Sequence, residues 1–204
     1  VDISVLKQVS SDLTVKLKSL EEEIFIIAGT PFNIASPKQM GDILFEKLML
    51  PGGKKTRTGA YSTDSQVLDD LAEQGYEIAA KIVEWRELAK LKSTYADALP
   101  EAINTKTGRL HTSYSMVGTN TGRLSSSDPN LQNIPVRTEN GKKIRGAFIP
   151  EKGYQLLSAD YSQVELRLAA ALADIKALKQ AFFDGVDIHT ATAAQVFGIF
   201  PEMV

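Results

Sequence analysis

The chain contains no cysteine, a single tryptophan and only two histidines. Without thiols there is neither a disulfide framework nor a thiolate metal site. No apolar run approaches the roughly 20 residues that a membrane helix needs. The N-terminus lacks the basic-then-apolar layout of a signal peptide, so the expected location is cytoplasmic. Neither sign of charge dominates. The formal net charge of −2 does not advertise a nucleic-acid partner. Internal repeats and low-complexity segments are missing too.

What is there is ordinary for a globular chain. Its 204 residues, 43% hydrophobic and 24% charged, are enough to bury a core as one domain or two. The average charge hides a distribution, however. Between Asn104 and Arg145 stand seven basic residues, Lys106, Arg109, Arg123, Arg137, Lys142, Lys143 and Arg145. Against them are two acids, Asp128 and Glu139, so this stretch has an excess of five positive charges. Lys54, Lys55 and Arg57 form a second cluster within the Gly- and Pro-rich segment 51–59. Basic residues in turn-rich sequence suit phosphate contact, although solvated loops fit the same pattern. Gly53-Lys54-Lys55-Thr56 is no phosphate-binding loop, because no glycine precedes it at the required spacing and no strand feeds it.

The first third reads as helical. Leu6, Val9, Leu13, Leu17, Leu20, Ile24 and Ile27 recur at spacings of three and four, and Gly29 is a fitting stop. Ser36-Pro37-Lys38-Gln39 predicts a capped helix to about Leu50, with Gln39 closing a capping box. Thr63-Asp64-Ser65-Gln66 offers a second box and a short helix to Gln74. A further helix is expected over Tyr76–Tyr95. Beyond Pro100, Thr, Ser, Asn and Gly replace helical periodicity. Short strands are expected over Arg109–Val117 and Lys143–Ile149, with turns at Thr107-Gly108 and Asn140-Gly141. Tyr154–Ala159 reads as a buried strand leading to a tight exit and a helix, and a last helix opens with Asp187 as N-cap. The expected fold is α+β: a helical part at 1–100 and a mixed α/β part at 101–204, the latter with antiparallel strands.

Two stretches carry chemistry. Asp160-Tyr161-Ser162-Gln163-Val164-Glu165-Leu166-Arg167 places one carboxylate at a strand end and another in a helix's first turn. A strand-end carboxylate can hold Mg²⁺, which takes oxygen ligands and often shares them with phosphate. On spacing alone Asp160 could equally be a helix cap, and Glu165 could simply favour the macrodipole. Upstream, Thr121 to Pro135 reads T-G-R-L-S-S-S-D-P-N-L-Q-N-I-P. It is either a plain polar connector or a device that packs Arg, Asn, Gln and Asn into eleven residues able to reach base edges, sugars and phosphates. Minor-groove acceptors look alike on all base pairs, so such side chains can test pair shape without reading sequence.

The octapeptide resembles motif A of the family A DNA polymerases, the bacterial DNA polymerase I type. The Thr121–Pro135 stretch is similar to the signature that precedes motif A in the same family. The resemblance covers essentially the whole chain and implies a thumb at 1–100, then part of a palm at 101–204. It implies template-directed DNA synthesis, with dNTPs joined to a primer on Mg²⁺. Asp160 would bridge two metal ions, with the Tyr161 main-chain carbonyl as a further ligand. Glu165 would be the steric gate against a ribose 2′-hydroxyl. Tyr161, Gln163, Glu165, His189 and Arg123 would meet the incoming nucleotide, Arg123 from the minor-groove side and His189 at the triphosphate. Arg123, Asn130, Gln132, Asn133 and Arg137 would hold the duplex. Arg86 and Lys90, beside Lys92 in the matching thumb stretch, would grip its backbone, and Lys54 and Lys55 would form the thumb tip. For His189 a surface cap, and for the helix cations a solvated face, remain the alternatives.

The family continues into the fingers and a His-Asp-Glu segment with the second metal carboxylate, neither of which is in these 204 residues. The lead-in Ile199–Val204 looks shortened. The expectation is a fragment that binds primer-template but does not polymerise alone, from a monomeric protein of the bacterial cytoplasm. A non-catalytic duplex-binding module is the alternative. A single-subunit RNA polymerase is a third, against which Glu165 argues.

Overall fold

In the computed structural model, which describes residues 1–57, 59–200 and 203, the apolar stripe from Leu6 to Ile27 lies on helix α1, Ile3–Ala28. Asp2 caps it by accepting from the Ser4 and Val5 N–H groups. Gly29 ends it at φ 65°, a left-handed conformation that glycine adopts without a Cβ penalty. Its 26 residues span about 39 Å and serve two apolar clusters. Ile24 and Ala28 pack with Met40, Leu44, Leu68, Leu71, Ile78 and Ile82. Leu6, Val9 and Leu13 pack with Leu91, Tyr95, Leu99, Ile134 and Ile144.

Helix α2, Pro37–Gly41, runs on as π-helix through Asp42–Lys47, stopping short of Leu50. Ser36 caps it, but the expected box is half made: the Gln39 side chain accepts from the Asn33 N–H at 2.9 Å instead. Helix α3, Ser65–Glu73, is capped by Asp64 rather than Thr63, and Gln66 turns forward to Asp70. Helix α4, Glu77–Leu91, passes through a π-helical turn, Lys92–Asp97, into α5, Ala98–Glu101. Helical structure therefore continues past Tyr95 and takes in Pro100.

Two of the expected strands are not strands. Lys143–Ile149 is mostly part of helix α6, Glu139–Gly146. Thr138 caps this helix, Glu139 lies in its first turn, and Lys143 and Arg145 in its last, all suited to the macrodipole. Ile144 is fully buried against α1. Gly141 is within the helix, its Cα so near Pro135 that an added Cβ would come 2.8 Å from the proline Cβ. Packing has thus overridden the Asn-Gly turn signal. Tyr154–Ala159 is irregular and exposed, Leu157 to 93%, because no strand among the described residues pairs with it. The Arg109–Val117 strand is real but short. β1, Ser113–Ser115, pairs antiparallel with β2, Ser125–Ser127, with Tyr114 opposite Ser126.

Helices α7, Val164–Leu172, α8, Lys176–Phe183, and α9, Ile188–Phe197, follow. Asp187 caps α9 as expected, accepting from the His189 and Thr190 N–H groups. Pro201, Glu202 and Val204, on which the shortened lead-in partly rests, lie outside the described residues. Among the described residues the chain is mostly helical with one small antiparallel sheet, the expected α+β class. It separates into two compact units, Val1–Gly153 and Tyr154–Val204, so Pro100 falls inside the first. No described helix is long and apolar enough to cross a membrane.

Candidate nucleic-acid and nucleotide interface

In the first unit the Thr121–Pro135 stretch is built around a buried serine. Ser126, on β2, is 4% exposed. Its hydroxyl pairs with Thr112 Oγ1 at 2.6 Å and accepts from the Leu131 N–H at 3.0 Å. Its own N–H donates to Gln132 Oε1 at 3.0 Å, and Gln132 Nε2 donates to the Leu124 carbonyl at 3.0 Å. Asn130 folds its Oδ1 onto the Gln132 and Asn133 N–H groups at 3.0 and 3.3 Å. This is an Asx turn, the local role in which asparagine replaces a backbone partner. The Gln132 amide is therefore used inside the loop, with both ends holding its shape. Gly122 takes φ 73° in the turn that delivers Arg123, a conformation costly for any side chain with a Cβ. Arg123 and Arg137 are both exposed.

Helix α4 and its π-helical turn face this loop. Between them lies a cleft of about 460 Å³ whose lining includes Lys90, Thr94, Tyr95, Asn130, Asn133 and Thr138. The structure thus brings Lys90, Asn130 and Asn133 together. Tyr95 Oη donates to the Asn133 carbonyl at 2.6 Å across the cleft floor, and burial raises its phenol pKa. Sequence reading missed this residue, which is legible only as an apolar position on the helix. Ser126 was readable only as one letter of the Thr121–Pro135 signature and Thr112 only as part of the expected Arg109–Val117 strand, with nothing to mark their pairing.

Arg86 and Lys92 differ from Lys90. The Arg86 guanidinium turns inward, donating to the Thr63 carbonyl, to Thr63 Oγ1 at 3.2 Å and to Met40 Sδ at 3.1 Å. Desolvation lowers its pKa, and Asp64 nearby opposes the shift. Lys92 pairs with Asp97 at 2.6 Å. Lys54 and Lys55 sit apart from the cleft lining, on a hairpin closed by the Lys55–Tyr61 bridge, with Lys55 Nζ 4.9 Å from the Tyr61 ring centre.

In the second unit Asp160 and Tyr161 are exposed on the segment leading to α7, and Glu165 occupies that helix's first turn. Gln163 stands ahead of the helix at φ 51°, a region that side-chain-bearing residues rarely enter. Its Nε2 donates to Asp187 Oδ1 at 3.4 Å, and the same oxygen accepts from the His189 N–H at 2.8 Å. Asp187 thereby connects Gln163 with His189. These N–H bonds, the one from His189 foremost, lower the Asp187 pKa. Arg167 fastens α7, donating to the Ser162 carbonyl at 3.0 Å and stacking 4.4 Å from the Phe182 ring centre. Among the described residues no group of three or more His, Asp or Glu is arranged to hold a metal ion. What Asp160 and Tyr161 offer is one carboxylate and one main-chain carbonyl. Those are hard oxygen donors, and one or two carboxylates are the usual protein share of a Mg²⁺ site completed by phosphate.

Comparison with known proteins bears on both halves. The family model for DNA polymerase family A matches residues 3–204. DNA polymerase I of Rhizobium leguminosarum is 58% identical over 98% of this chain, and that of Pseudomonas aeruginosa 53% over 98%. The thermostable DNA polymerase I of Thermus aquaticus is 50% identical over the whole chain. The chain spans about a fifth to a quarter of these relatives, 20%, 22% and 24% respectively. Among solved structures, the POL domain of Pol1 from M. smegmatis, in complex with DNA primer-template and dNTP, matches 99% of this chain. The TM-score is 0.86 at 36% identity, and 35% of that chain is covered. With the match running from residue 3 to the last, the chain belongs to DNA polymerase family A.

Proposed function

We propose that this chain contributes the thumb, residues 1–100, and part of the palm, residues 101–204, to a bacterial template-directed DNA polymerase. The observation that carries the reading is the likeness to a POL domain solved with primer-template and dNTP, which extends over nearly the whole chain. The reaction is nucleotidyl transfer: the primer 3′-oxygen attacks the α-phosphorus of a dNTP, a new phosphodiester forms, and pyrophosphate leaves.

The chain's own residues divide the work. Lys90, Asn130 and Asn133 line the cleft that takes the duplex backbone, with Arg123, Arg137, Lys54 and Lys55 adding contacts. Gln132 keeps the loop in shape from within, and Arg86 supports the thumb from inside its core. Glu165 stands where a 2′-hydroxyl would fall and rejects it sterically, so deoxyribose is selected. His189 meets the triphosphate and Gln163, tied to it through Asp187, borders the nucleotide with Tyr161. The Asp160 carboxylate and the Tyr161 carbonyl would hold Mg²⁺. When bound there, Mg²⁺ would supply activation of the primer hydroxyl and neutralisation of phosphate charge. The protein works as a monomer in the cytoplasm, and the 204-residue chain alone binds primer-template without extending it.

The test is primer extension by a full-length polymerase carrying this segment. Asp160→Asn should abolish extension while primer-template still binds, since the amide keeps the shape and removes the anionic ligand. Glu165→Ala should raise ribonucleotide incorporation sharply. Extension surviving in Asp160→Asn overturns the metal assignment, and an unchanged sugar preference overturns the gate.

A further inference from the structure

The two walls of the duplex cleft come from different places. Lys90 belongs to α4, whereas Asn130 and Asn133 belong to the Thr121–Pro135 loop. We propose that Tyr95 is a positioning residue that sets the register between these walls through its hydrogen bond to the Asn133 carbonyl. The inference rests on the reading of the cleft as the seat of the primer-template.

Three observations support it. First, Tyr95 is 6% exposed and its ring is part of the cluster holding α1, α4 and α6, so its hydroxyl is a fixed point and not a mobile one. Second, it accompanies a break in helix geometry. The turn Lys92–Asp97 is π-helical, a rare form that arises mostly as single turns within α-helices and is frequent at functional sites. Lys92 and Asp97, five apart, are paired at 2.6 Å across that turn. Asp97 also accepts from Ser10 on α1 at 2.6 Å, which fastens the turn to the core. Third, the bond ends on main chain. Asn133 O belongs to the residue whose N–H is already held by Asn130, so a shift at Tyr95 moves the loop backbone and not one side chain.

The variant Tyr95→Phe keeps the ring in the core and removes only the donor. In the full-length polymerase, primer-template Kd should rise roughly three- to tenfold, the size of one neutral hydrogen bond, with KM for DNA following it and kcat little changed. Lys90→Ala weakens binding by itself. Combined with Tyr95→Phe, it should cost less than the product of the two single effects, because register matters only while Lys90 is there to be registered. A purely structural tyrosine gives a different pattern: a lower Tm, unchanged Kd below that Tm, and multiplicative single effects. Unchanged Kd in Tyr95→Phe, or multiplicative effects in the double variant, overturns the proposal. Failure of the unmodified polymerase to bind primer-template overturns the function reading beneath it, a result distinct from either.

Discussion

Arg86 and Lys90 lie four residues apart on α4, and the structure gives them opposite tasks. Lys90 is exposed and lines the cleft, whereas the Arg86 guanidinium serves Thr63 and Met40 in the interior. A planar fork with several fixed donors suits that position, and a lysine would leave part of it unserved. Arg86→Ala strands the carbonyl of the buried Thr63, which should cost about 2 kcal/mol by urea unfolding. The same substitution should leave primer-template affinity nearly unchanged in buffer without urea, whereas Lys90→Ala should do the reverse. Charge identity alone does not separate these two residues. What separates them is which turn of the helix faces Thr63, and no local pattern encodes that.

Capping was legible in part. Asp2, Ser36, Asp64, Thr138 and Asp187 all cap helices with their side chains. Ser36 and Asp187 were readable as caps, Asp64 takes the place expected of Thr63, and Thr138 caps a helix where a strand was expected. Asp64 and Asp187 have lowered pKa values, Asp64 chiefly through the Ser62 hydroxyl and the Val67 N–H, Asp187 through the His189 and Thr190 N–H groups. A carboxylate depressed in the folded state contributes stability that is present above its unfolded value, about 3.9, and lost as pH falls through the folded value. Thermal melts between pH 7 and 2 should therefore show acid destabilisation that is shallower in Asp64→Asn. Asparagine keeps the cap and does not titrate. The amphipathic stripe of α1 and its glycine stop were readable because a single helix face carries the buried residues of both apolar clusters. The strand expected at Lys143–Ile149 failed for the opposite reason. Its helix depends on burying Ile144 against α1, a partner distant in sequence. The octapeptide and the Thr121–Pro135 loop could be read as motifs, but the Ser126 hub and the Tyr95 bond appear only once the chain has folded.

The chain as a whole carries little net charge, and its exposed cations are spread over helices and loops, Lys90 on α4 and Arg123 and Arg137 in loops among them. Binding to primer-template should accordingly be sequence-independent and salt-sensitive, with log K falling linearly against log salt as counterions are released. Fluorescence titrations across a salt series would measure that slope, and Lys90→Ala should reduce it by about one. A flat salt response would remove phosphate contact from the account. The second compact unit has a different consequence. Leu156 and Leu157, Phe183, Val196, Phe197 and Phe200 all stand open to solvent within some fifty residues. That much uncovered oil makes an isolated preparation sticky. Purified by itself, this polypeptide should light up hydrophobic dyes while natively folded and clump as its concentration rises, so its handling in the tube is governed by Tyr154–Val204 more than by the well-packed helices before it.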